Sequence, residues 1–127
     1  MSKERKLAIK YADTWFSKFI RMRDQKCYTC GSQVNLQCGH LFSRVFQATR
    51  WNEEAAFAQC ERCNSEHESN TEPFYKKFID ENGLELFEYL ERLTKSPILK
   101  TEHEIRYLGK KFKHKYEELL EGRGWNE

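Results

Sequence analysis

The sequence of 127 residues predicts a mostly helical α+β fold: an N-terminal helix, a short β-β-α centre and a helical C-terminal part. Three observations predict it. Apolar residues recur every three or four positions across 4–23, and again in three stretches beyond residue 71. Between these regions the helical period is lost and Val34, Leu36 and Cys38 alternate with Asn35, Gln37 and Gly39. Two C-x-x-C pairs, Cys27–Cys30 and Cys60–Cys63, bracket that irregular centre. The length suits one domain, divided into an N-terminal segment 1–25, a centre 26–70 and a C-terminal part 71–127.

The first helix is expected over 4–23, where Leu7, Ala8, Tyr11, Ala12, Trp15, Phe16, Phe19 and Ile20 form one apolar stripe. Lys3, Lys6, Lys10 and Lys18 lie on the opposite face. The alternating residues after the Gly31-Ser32 turn form a short strand, with a return strand expected near Leu41–Phe42. From Asn64 onward no strand pattern survives, so a short helix should start close to Cys63. Thr71-Glu72-Pro73 opens another helix to about Glu81, because proline is tolerated in a first turn, and Asn82-Gly83 stops it. Leu84, Phe87, Leu90 and Leu93 make the next helix, which Ser96-Pro97 breaks. Thr101 with Glu104 is a capping box, and Ile105, Leu108, Phe112, Leu119 and Leu120 carry a last helix to about Glu121.

One third of the residues are charged, while nine Phe, six Tyr and three Trp supply apolar bulk; that composition excludes a disordered chain. No stretch approaches the ~20 apolar residues of a membrane span, and the N-terminus lacks the apolar run of a signal peptide. No membrane association is therefore expected, and a cytoplasmic location with reduced thiols is. Five cysteines, an odd number, favour metal over a disulfide framework. The net charge is only +2, but the first 30 residues hold eight basic groups against three acidic ones, and residues 53–91 are acid-rich. Basic patches suit a polyanion such as DNA, although solvated helix faces look the same.

Cys27, Cys30, Cys60 and Cys63 are the expected thiolate ligands of one tetrahedral Zn²⁺. A site closed by four cysteines leaves no open position, so this zinc is structural. Cys38 could replace one of the four or pack as a free thiol. His40 follows the candidate strand, and Asn64 begins the following helix with His67 and Glu68 on the same face. An imidazole opposite a helix-borne amide suits metal-assisted phosphodiester hydrolysis. His40 would take a proton from water, and Mg²⁺ or Mn²⁺ held by oxygen or nitrogen ligands on that helix would stabilise the charged phosphorane. The alternatives are plain: Asn64 could cap its helix and His67 could be an ordinary surface histidine.

Cys27-x-x-Cys30, Gly39-His40 and Cys60-x-x-Cys63-Asn64 together resemble the HNH, or ββα-metal, nucleases with a zinc staple, most of all their HNN variant. The strings Gly39-His40-Leu41-Phe42-Ser43-Arg44, Ala48-Thr49-Arg50-Trp51-Asn52-Glu53 and Gln59-Cys60 are similar to the NinG/Rap recombination proteins of lambdoid phages. The resemblance covers about residues 26–120. It implies a zinc-stapled ββα-metal core and a phage-encoded endonuclease, working in the bacterial cytoplasm on branched recombination intermediates such as Holliday junctions, D-loops and forks. Carried over by position, His40 would be the general base and Asn64 a catalytic-metal ligand. Arg44 and Arg50 would reach phosphates, and Lys3, Lys6, Lys10 and Lys18 would add DNA contacts.

The chain departs from that pattern at three places. Gly39 stands where many of these nucleases have a metal-binding Asp, so His67 or Glu68 would complete the divalent site that Asn64 begins. The middle Asn of the pattern would fall at Ala55 or Ala56, and Phe57 stands where a His is frequent. A second reading, of a different class, is a non-catalytic zinc module that binds DNA or protein. A sequence-specific restriction or homing enzyme is a third, with little in the chain to read bases. Two cuts in a four-way junction suggest a homodimer, whose interface the stripes of 4–23 and 101–121 could supply, unless they cover the chain's own core.

Overall fold

A computed structural model describes residues 1–123. The first helix, α1, spans Lys3–Asp24; the Ser2 hydroxyl caps it by accepting from the Arg5 amide at 3.1 Å, and Gln25 ends it in the left-handed region at φ 60°. The last, α6 (Glu102–Gly122), starts at the expected capping box: Thr101 Oγ1 accepts from the Glu104 amide, and Glu104 Oε1 accepts from the Thr101 amide.

These two helices lie side by side and run the same way, since their contacts climb in step. Arg106 donates to the Glu4 carbonyl, Tyr11 covers Gly109, and the Trp15 and Tyr116 rings sit 5.7 Å apart. A Cβ at position 109 would land on the Tyr11 ring, so close approach requires glycine there despite its helix cost. Most of the α1 stripe (Ala8, Ala12, Phe16, Phe19 and Ile20) is buried with Ile105 and Phe112 of α6, while Leu7 stays exposed, so the two apolar faces largely cover each other.

Between them in sequence lies an antiparallel hairpin, β1 (Leu36–His40) and β2 (Ala56–Cys60), registered from Leu36↔Cys60 to His40↔Ala56. The return strand is therefore not at Leu41–Phe42, as the sequence suggested. Leu41 and Phe42 instead follow β1 directly, and both are buried in the cluster that holds Phe74, Phe78 and Phe87. They begin a loop over 41–55 that carries a four-residue helix, α2 (Gln47–Arg50), and closes through the Leu41 amide on the Ala55 carbonyl at 2.9 Å. Directly after Cys60 comes α3 (Glu61–His67), giving the order strand, strand, helix.

The hairpin separates two apolar clusters. Cys38 and Ala56 face α1 and α6, while Phe57 on the other face joins Phe74, Phe78, Phe87 and Leu90 of α4 (Glu72–Asn82) and α5 (Leu84–Leu93). Gly83 turns between the last two helices at φ 92°. The free edge of β2 is blunted, with the Ala58 amide donating to Asp24 and its carbonyl accepting from the Tyr28 amide. No helix among the described residues is long and apolar enough to cross a membrane.

Candidate functional site

The four knuckle cysteines converge. Their sulfurs all lie within 4.8 Å of one another, and Cys30 Sγ stands 3.8 Å from Cys60 Sγ. A tetrahedral zinc with bonds of about 2.3 Å would set its sulfurs roughly 3.8 Å apart, so the donor set fits. Local backbone geometry explains the fit. In each knuckle the amide of the second cysteine points at the sulfur of the first, at 3.4 Å for Cys30 on Cys27 and 3.5 Å for Cys63 on Cys60. Burial raises the Cys27 thiol, but main-chain donors including Cys30 and Cys60 outweigh it and bring the thiol down to about 6. A zinc held by these four cysteines would tie the turn before β1 to the start of α3. Cys38 stands apart: burial pushes its thiol up to about 12, so it stays neutral and packs beside the α1–α6 cluster.

On the other side of β1 a cleft of about 870 Å³ is lined by His40, Gln37, Asn64, His67 and Glu68, with Asp13, Ser17 and Arg44 across from them. His40 reaches it from the end of β1. Its Nε2–H donates to the Arg50 carbonyl at 2.9 Å, which leaves Nδ1 as the ring's acceptor. Burial lowers its pKa to about 4, and Arg44 adds to that against the opposing pull of the Arg50 carbonyl and Asp13. The imidazole is therefore neutral at pH 7.

From α3, Asn64 Nδ2 donates to Gln37 Oε1 at 2.9 Å, so Oδ1 is the end left to bind something else. Glu68, one turn further on, is exposed in the same cleft. His67 borders the cleft but uses its nitrogens elsewhere. Its Nε2–H donates to the Leu41 carbonyl at 3.0 Å, its Nδ1 is buried without a partner, and its ring packs on Phe74 at 4.7 Å. Both imidazoles thus hold main-chain carbonyls of the loop 41–55. Asn64 Oδ1 and the Glu68 carboxylate are hard oxygen donors, and that chemistry fits a Mg²⁺ or Mn²⁺ that keeps several waters. Among the described residues, the four cysteines are the group of three or more His, Cys, Asp or Glu that could hold an ion; the cleft assembles no second one.

Position 39 offers no ligand, and the reason is packing. A Cβ there would come within 2.7 Å of the Gln59 amide carbon. Gln59 is almost fully buried, with Nε2 donating to Thr29 Oγ1 at 2.9 Å.

Of the basic residues, Arg44 is open at the cleft, with 61% of its side chain exposed, and only skirts Asp13 at 3.9 Å. Arg50 is held: its Nε and Nη2 grip the Asp13 carboxylate at 3.0 and 2.6 Å, and Trp51 Nε1 donates to the same group at 2.9 Å. Lys3, Lys6 and Lys10 are exposed on α1, while Lys18 lies over the Trp15 ring at 4.8 Å. Three residues of the site escaped the sequence reading: Asp13, Gln37 and Gln59. Asp13 sits on a helix face counted as packing. Gln37 lies in no motif and Gln59 entered only as part of the Gln59-Cys60 string; the pairing of β1 with β2 brings the two together.

No curated protein and no solved structure matches the chain. The family model described as bacteriophage lambda NinG protein matches residues 1–121, so nearly all of the described structure lies within the match. The chain belongs to the NinG family.

Proposed function

We propose that this chain is a divalent-metal-dependent DNA endonuclease of HNH type that cuts branched recombination intermediates. The observation that carries the reading is His40: a neutral imidazole, held through Nε2 by a main-chain carbonyl, with Nδ1 as its acceptor in a cleft shared with Asn64 and Glu68. Membership of a phage family points the same way. In this reading His40 Nδ1 takes a proton from a water that attacks the scissile phosphorus in line. The new bond is water oxygen to phosphorus, and the bond that breaks runs to O3′, leaving 5′-phosphate and 3′-hydroxyl ends. A Mg²⁺ or Mn²⁺ bound through Asn64 and Glu68 would supply charge stabilisation to the phosphorane and the departing O3′. Arg44, exposed at the mouth, is placed to meet a phosphate, and the lysines of α1 would add salt-dependent contacts.

The zinc centre is the scaffold in this scheme. It holds β1 and α3 at the separation that His40 and Asn64 need. Cutting both strands at a four-way junction calls for two copies; because the stripes of α1 and α6 largely cover each other, a dimer would use another surface.

The test is incubation with linear, forked and four-way DNA in Mg²⁺, in Mn²⁺ and in chelator. Metal-dependent cutting of the branched substrates that His40→Ala abolishes is expected. A wild type that cuts nothing, or a His40→Ala variant that cuts equally well, replaces this reading with a zinc module that only binds.

A further inference from the structure

We infer that Gln37 is the positioning residue of the divalent-metal site, acting by turning the Asn64 amide so that its oxygen meets the ion. This rests on the nuclease reading above and names a part of that site.

A side-chain amide has two chemically opposite ends. Oδ1 of Asn64 can bind a cation, and Nδ2 cannot. Rotation about the last torsion exchanges them, and that torsion is broad and nearly two-fold. An asparagine that gives Oδ1 to a cation leaves Nδ2 in need of an acceptor. Gln37 Oε1 does so at 2.9 Å, across the gap between β1 and α3, in the cleft that also holds His40. The contact joins residues 27 apart in sequence, so it forms only when the hairpin and α3 are assembled.

Strand geometry makes Gln37 the residue for this task. Residues 37 and 39 of β1 share one face, since side chains alternate. Position 39 is a glycine whose side-chain space is filled by Gln59, so on that face of β1 Gln37 is the one that reaches α3. With no carboxylate at 39, few protein ligands remain, and the orientation of each matters more. Mg²⁺ is ordinarily held by only one or two carboxylates plus waters, which this arrangement can provide once Asn64 points correctly. Gln37 is itself exposed, so it contributes little to the core and can be substituted without unfolding the chain.

The test is Mn²⁺ binding to the zinc-loaded full chain, followed by electron paramagnetic resonance without DNA. Groups that orient a ligand are worth about 10–100-fold in metal affinity. Gln37→Leu, which removes the acceptor, should weaken Mn²⁺ by at least about tenfold with unchanged zinc content and melting temperature. Gln37→Glu keeps an acceptor at that place and should bind Mn²⁺ at least as tightly as wild type, and adding Asn64→Ala to it should abolish that binding; a new carboxylate that merely binds the ion itself would keep it. Wild-type affinity in Gln37→Leu, or a Gln37→Glu as weak as Gln37→Leu, overturns the proposal. If Asn64→Ala loses Mn²⁺ while Gln37→Leu does not, only this inference falls. If wild type binds no Mn²⁺, or Asn64→Ala binds it unchanged, the metal-site reading falls with it.

Discussion

The side chain of Gln59 fills the space that a side chain at Gly39 would need. The two are diagonal neighbours on one face of the hairpin, and Gln59 is fixed there by its bond to Thr29. Gly39→Asp should therefore destabilise the chain by about 1–3 kcal/mol, the usual range for overpacking. Gly39→Asp combined with Gln59→Ala should cost less than the two single changes added together, because the second removes what the first strikes. Denaturant melts of the four proteins decide it. A Gly39→Asp variant as stable as wild type would remove the packing explanation for the missing carboxylate.

The pH dependence follows from His40. Its folded pKa is lowered to about 4 from an ordinary 6.5. Between those values the unfolded chain takes up a proton that the folded chain does not, so stability is full above about pH 6.5 and falls toward pH 4. The contribution is up to about 3 kcal/mol. His40→Asn should lose this part of the pH dependence, measured as the difference from wild type in melts across that window. Cleavage, if His40 is the base, should keep its acid limb below pH 6.5. An acid limb above that value would assign the base elsewhere.

Elemental analysis should find one zinc per chain, lost in Cys60→Ser and kept in Cys38→Ser. Structural zinc contributes about 10–16 kcal/mol in small domains, against a typical total stability of about 5–15 kcal/mol. Chelation should therefore unfold the centre, read as loss of amide protection in β1, β2 and α3. Zinc retained in Cys60→Ser but lost in Cys38→Ser would exchange the roles of the two cysteines.

The knuckles, the capping box at Thr101 and the proline-led helix at Glu72 were legible because each is a local signal with fixed spacing. His40 drew attention because it stands between two motifs, and the structure places it in the lining of the cleft. The return strand was not. Ala56-Phe57-Ala58-Gln59-Cys60 carries two small residues and buries members of both faces, so alternation is hidden, whereas Leu41-Phe42 looks like strand and is loop core. Asp13 and Gln37 were illegible for another reason. Their partners lie 37 and 27 residues away, and no sequence pattern marks a contact that the fold alone creates.

Gln59 Oε1 and His67 Nδ1 are buried acceptors without a protein partner, and both residues border one cavity of about 20 Å³ beside the zinc knuckle. Gln59 Nε2 and His67 Nε2 already donate to Thr29 and Leu41, which sets both free atoms as acceptors. A single water with two donors matches that pair, and the volume exceeds the ~10–15 Å³ one water requires. A high-resolution crystal structure should show it bonded to both atoms. A dry cavity, or a rotated His67 ring whose Nδ1 meets a protein donor, would refute the match.

Asp13 is tied to His40 through a single intermediate, Arg50. Its carboxylate takes two bonds from Arg50 and one from Trp51, and the Arg50 carbonyl takes the His40 Nε2–H. Asp13→Asn removes the charge and turns one acceptor into a donor facing the guanidinium. Losing a charge-assisted pair that is only partly exposed should cost about 1–3 kcal/mol. The end of α2 then loosens, and the carbonyl that orients His40 moves with it. Misplacing a base by a fraction of an ångström slows chemistry more than it weakens binding. If His40 is the base of a cleavage reaction, the expected result is a kcat lowered about tenfold or more, with KM and zinc content near wild type. His40→Ala in the same background should then add less than it does alone, because both act through one imidazole. Fully additive effects of Asp13→Asn and His40→Ala would show that Asp13 works through some other group.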